Sequence, residues 1–123
     1  MIGKAARFFG IVFVAVGILG FVPQATPNGA LLGIFPVSTW HNLAHLVLGL
    51  WGLLAAGTVA GAVSYMRGIA VIYAVLAILG LFPSTSNLFG RIPLHGADVW
   101  LHAALAVAAA YFGFGPPSKA AGA

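Results

Sequence analysis

Apolar residues run almost without interruption through four stretches, Ala5 to Val22, Val37 to Val63, Met66 to Phe82 and Ala97 to Phe114, and polar residues gather between them. Three stretches have 17 or 18 residues and the second has 27, each long enough for a helix to cross a hydrocarbon core, which takes about 17–25 residues. Backbone groups in lipid must pair within their own segment, and runs this long and uniformly apolar lack the two-residue alternation of barrel strands. The pattern therefore predicts an all-α protein, an integral membrane four-helix bundle. Two Pro-containing loops, Pro23 to Pro36 and Pro83 to His95, separate the helices of each half, and the segment "AVSYMRGIA" is expected to turn between the halves. "GFGPP" ends the fourth helix, because Pro can neither donate to nor fit inside a continuing helix. The tail 116–123 is expected to be disordered, leaving a single transmembrane domain within residues 1–123.

The same pattern repeats. Residues 4–62 laid over 64–119 bring "RFFGIVFVAVGILGFVP" onto "RGIAVIYAVLAILGLFP", with Arg, Ile-Leu-Gly and Pro in register. After a three-residue gap in the loop, "GIFPVSTWHNLAH" falls on "GRIPLHGADVWLH", pairing Gly33 with Gly90, Pro36 with Pro93 and His45 with His102. His41 falls opposite Asp98. Two tandem helical hairpins, repeat 1 over about 4–62 and repeat 2 over about 64–115, imply a parallel repeat about an axis along the membrane normal.

Composition sharpens the class. Of 123 residues 62% are hydrophobic and 5% charged, too little polar surface for a soluble globular domain. There is no cysteine, which excludes disulfides and thiolate chemistry. The formal charge of +4 comes from five scattered cations against one acid and is an orientation signal, with no basic patch for nucleic acid. With four crossings, Lys4, Arg7, Arg67 and Lys119 share one side and Arg91 lies on the other. The positive-inside tendency then puts both termini in the cytoplasm and both long loops outside. Lys4 and Arg7 before an apolar run also resemble a cleaved signal segment; the repeat predicts that this segment is retained as a helix.

The candidate chemistry lies at the outer ends of helices 2 and 4. Ser38 or Thr39 is a candidate N-cap for helix 2, and Gly96 or Asp98 for helix 4. His41 and His45 are four apart and share a helix face, and Asp98 and His102 repeat that spacing. Asp98 is the single carboxylate side chain of the chain, among only four histidines. Ionisable groups inside membrane segments are costly and turn toward a bundle interior or a cavity. If helices 2 and 4 face one another, His41, His45, Asp98 and His102 form a ligand set for a divalent transition metal such as Zn, Cu or Fe. Asn42 and His95 would support it from a second layer.

Two other readings stand beside this one. His45 and His102 could be the paired axial ligands of a b-type haem in a four-helix bundle, with electron transfer as the function. Alternatively the four groups form a polar network joining two helices of a structural or accessory subunit in a larger membrane complex. No Ser-His-Asp order, phosphate loop or dinucleotide fingerprint occurs, so enzymatic activity is not indicated. Small residues on helix 2, including Gly49, Gly52 and a Gly57-x-x-x-Gly61 pair, predict close helix packing, within the chain or between copies. Trp40, Trp51, Trp100, Tyr65, Tyr73 and Tyr111 are candidate interfacial anchors.

"LGIFPVSTWHNLAHLVLGLWGL" and "LGLFPSTSNLFGRIPLHGADVWLH" resemble a bacterial family of small four-helix membrane proteins catalogued as domain of unknown function 4383. The resemblance covers nearly the whole chain and is most specific at His41, Asn42 and His45 and at Asp98 and His102. It implies a bacterial cytoplasmic membrane protein with four helices and supplies no activity.

Overall fold

The computed structural model describes residues 1–88 and 92–115 and is mostly helical. Four helices form, α1 (Ile2–Leu19), α2 (Thr39–Ala55), α3 (Val59–Leu79) and α4 (Ala97–Phe114). Of these, α1, α3 and α4 are long and apolar enough to cross a membrane, the mark of a membrane protein. With 17 residues, α2 is the shortest of the four. The tail 116–123 with Lys119, together with Gly90 and Arg91, lies outside the described residues.

The boundary between α2 and α3 differs from the sequence expectation. The apolar run Val37 to Val63 is not one helix, because the chain turns at Ala56 to Thr58. There the Thr58 side chain accepts from the Gly61 amide at 2.9 Å and caps α3. A cap of this kind satisfies an amide that has no partner within the helix, so it fixes the helix start. Consequently "AVSYMRGIA" is helical, and Arg67 lies within α3 and not in a turn. Its Nε donates to the Gly113 carbonyl at 2.7 Å, and its guanidinium sits 5.1 Å from the Phe114 ring centroid. That cation neutralises the negative end of α4.

The same correction removes the Gly57/Gly61 pair as a helix-packing face, since Gly57 is in the turn and Gly61 in α3. Close approach occurs instead where α1 crosses α2. A Cβ on Gly10 would meet the Gly49 carbonyl oxygen at 2.9 Å, and one on Gly49 would meet the Val14 amide at 2.7 Å. Each helix thus presents bare backbone to the other, the packing solution lipid favours. The α1–α2 and α3–α4 pairs make the most extensive contacts, and lesser seams join α1 to α3 and α2 to α3.

Tyr65 and Tyr73 are core residues and not interfacial anchors, with 0% and 1% of their surface exposed. The Tyr65 hydroxyl donates to the Leu48 carbonyl at 2.9 Å, which makes burial of its polar tip tolerable. Trp40 and Trp100, 52% and 76% exposed at the starts of α2 and α4, retain positions suited to an interfacial anchor.

Each long loop holds a short antiparallel ladder, β1 (Ala30–Leu31) with β2 (Phe35–Pro36) and β3 (Asn87–Leu88) with β4 (Ile92–Pro93). The first hairpin turns through Leu32 and Gly33, both at positive φ. Glycine adopts that conformation without strain, which explains the residue at position 33. The β2 strand lies against α4 and β4 against α2, so each loop covers the start of the other pair's second helix.

Candidate metal centre

Two helix starts set the depth of the polar side chains. The Ser38 hydroxyl accepts from the His41 amide at 3.1 Å, capping α2 as its sequence position predicts, so His41 falls in the first turn and His45 in the second. Gly96, at φ 70°, redirects the backbone into α4, placing Asp98 in the first turn and His102 in the second. These starts lie at the same end as the C-termini of α1 and α3. Gly20 abuts the Asn42 side chain, and Gly80 abuts the Leu94 carbonyl and Val99.

The structure brings His41, Asp98 and His102 together, with one ligand atom of each lying within 4.8 Å of the others. The His41 ring centroid is 4.5 Å from that of His45 and 6.3 Å from that of His102. His45 thus borders the trio. Tetrahedral ligation at 2.0–2.2 Å separates neighbouring ligand atoms by about 3.4 Å, so small rotamer movements would close the trio on an ion. Asn42 is buried beside Gly20 on α1, and His95 is exposed in the loop before α4; neither joins the trio.

Burial makes this arrangement demanding. His41, His45, Asp98 and His102 are 5%, 8%, 1% and 1% exposed. The Nδ1 atoms of the three histidines, Asp98 Oδ2 and Asn42 Oδ1 have no hydrogen-bond partner among the described residues. A buried polar atom left unpaired costs about 1–3 kcal/mol. Four of these atoms, on His41, His45, Asp98 and His102, belong to the cluster, where water or an ion could serve as their partner.

Aromatic rings form the floor. Phe13 stacks on His45 at 5.9 Å and on Tyr73 at 5.5 Å, and the Tyr73 ring lies 5.0 Å from that of His102. Sequence reasoning missed Phe13 as a site residue and took Tyr73 for an anchor. The signal was present, because the aligned segments "GIVFVAVG" and "AVIYAVLA" put Phe13 and Tyr73 in register. Packing on both rings holds the imidazoles in place without using their nitrogens.

On one side the cluster opens into a cavity of about 500 Å³ between α1 and α4, within the size range of small-molecule sites. Phe9, Val12 and Phe13 of α1, and Leu101, Leu105 and Ala108 of α4, line it, and Leu31 and Phe35 of the first hairpin contribute to its wall. Two imidazoles and a carboxylate, with a third imidazole adjacent, are a borderline N/O donor set, suited to Zn²⁺ and its first-row neighbours. A ligand position facing the cavity would be accessible to a further donor.

A family model described as Domain of unknown function (DUF4383) matches residues 4–115. No curated protein and no solved structure matches the chain significantly.

Proposed function

The chain belongs to the DUF4383 family, whose description carries no activity, and from its own geometry we propose that it is a membrane protein that binds a divalent transition metal. His41, Asp98 and His102 are the ligands, with His45 as the fourth donor and Zn²⁺, Cu²⁺ or Fe²⁺ as the candidate ions. The observation that carries this reading is the convergence of three ligand atoms within 4.8 Å from helices far apart in sequence. His41 Nδ1, Asp98 Oδ2 and His102 Nδ1 are buried with no hydrogen-bond partner among the described residues, which supports it. A network serving only to join helices would pair these atoms with each other or with the backbone.

Purified in mild detergent, the protein is expected to contain a stoichiometric metal by plasma mass spectrometry, or to take up added Zn²⁺ or Co²⁺ to that level. Failure to bind any of these ions would leave the helix-joining role. A Soret band lost in His45→Ala and His102→Ala but kept in Asp98→Ala would replace the ion by haem.

The two halves of the chain are best explained as copies of one hairpin unit. Ala30 and Asn87, Phe35 and Ile92 begin their strands at the same spacing that separates His45 from His102. The exchanged loop contacts and the matched pairs Phe13 with His45 and Tyr73 with His102 favour the same reading. Lys4, Arg7 and Arg67 lie toward the end opposite the cluster, which favours cytoplasmic termini and an outward-facing site. A cysteine introduced at Asn28 is then expected to react with an impermeant maleimide on intact cells. Labelling only after permeabilisation would invert the orientation.

A further inference from the structure

The cavity has a cause in the sequence. In the α2–α3 seam, Trp51 packs edge-on against Tyr65 at 4.7 Å, and its ring also meets the backbone of Gly68. Under the register of the two halves, Trp51 corresponds to Ala108, Tyr65 to Ala5 and Gly68 to Phe8. The α1–α4 seam therefore lacks both large rings that fill its counterpart, and the open volume lies beside Ala108. Phe8 and Val12, 65% and 37% exposed, border the opening. On a membrane-spanning helix, that exposure faces acyl chains.

Charge selects what enters. A divalent ion held by three imidazoles and Asp98 retains one positive charge. The chain has no other acidic side chain to balance it. An unbalanced charge surrounded by apolar groups is strongly disfavoured, so an external monoanion has to complete the site. Beyond the polar end the lining is hydrocarbon and phenyl, and from Asp98 to Ala108 the helix rises about 15 Å.

We propose that the α1–α4 groove takes the tail of a long-chain fatty acid from the bilayer, with its carboxylate as a fifth donor to the metal held by His41, His45, Asp98 and His102. This rests on the metal reading above. The apolar groove accounts for the tail, the residual charge for the head, and the lateral opening for entry from lipid.

Co²⁺-loaded protein in phosphatidylcholine nanodiscs tests the proposal, because the visible cobalt bands report a change of ligand directly. Palmitate is expected to shift these bands saturably, whereas hexadecanol and methyl palmitate leave them unchanged. Ala108→Trp, which restores the ring found at the equivalent position, is expected to keep cobalt but lose the palmitate shift. Ala104→Phe, at the exposed mouth of the groove, provides a second variant should the first fail to fold. Cobalt bands that ignore palmitate would overturn the fatty-acid assignment and leave the metal reading intact. Equal shifts with hexadecanol would overturn the carboxylate's role, and a full palmitate shift in a folded groove variant would overturn its location. Absence of cobalt binding altogether would overturn the metal reading and the proposal with it.

Discussion

Asp98→Asn is expected to weaken metal binding by about a hundredfold or more, since even the outer partners of metal ligands are worth 10–100-fold. The same substitution should make the metal-free protein more stable than the parent. Asparagine preserves the shape of the side chain but removes its charge, and an amide oxygen is a poor replacement for carboxylate at Zn²⁺. Without metal, Asp98 is 1% exposed and its Oδ2 has no partner among the described residues. The parent therefore tolerates either a buried charge or an unpaired acid, and the amide relieves the first at little cost in packing. Competition against a chromophoric chelator measures the affinity, and thermal unfolding with and without EDTA measures stability. The expected signature is a crossover, with the parent more stable in Zn²⁺ and the variant more stable in chelator. Retained affinity in Asp98→Asn would remove Asp98 from the ligand set.

Gly49→Leu is expected to destabilise the fold by about 3 kcal/mol, the upper part of the usual range for overpacking. A Cβ at this position would lie 2.7 Å from the Val14 amide and 2.8 Å from the Gly10 carbonyl. These are backbone atoms of α1, so no rotamer change can relieve the clash and the helices must separate. Because α1 forms one wall of the cavity, metal binding should fall together with stability. Gly57→Ala provides the contrast. Its Cβ would meet only the Leu54 carbonyl at 3.7 Å, an ordinary contact, and the change should be nearly neutral. Helical circular dichroism followed through thermal or detergent unfolding distinguishes the two. Equal effects would show that the tight α1–α2 crossing is not required.

The number of helices and the limits of α4, Ala97 to Phe114, were legible because the fourth apolar run ends at glycine and proline. The start of α3 was not. Nothing in the hydropathy of residues 56–58 interrupts the apolar run, and the break depends on one side-chain cap at Thr58, whose energy is small beside that of the run. The ladders β1–β2 and β3–β4 escaped for a related reason, since two-residue strands have no periodicity to detect. The pairing of His41 with His45 and of Asp98 with His102 was visible from spacing alone. That His41, Asp98 and His102 converge, with His45 to one side, depends on packing between helices that hydropathy does not encode. The cavity was hidden for a different reason. Ala108 is unremarkable in an alanine-rich helix and becomes informative only when set against Trp51.

The exchange of loops also bears on when the site can form. A ribosome delivers α1 and α2 to the membrane before α3 and α4 exist, so His41 and His45 enter lipid with neither Asp98 nor His102 to meet them. Because β4 covers α2 and β2 covers α4, neither pair can seal its own end. On the proposed metal reading, loading would be a late step of biogenesis, reserved for chains whose final helix has been inserted, and a truncated product would reach the bilayer with its histidines still exposed.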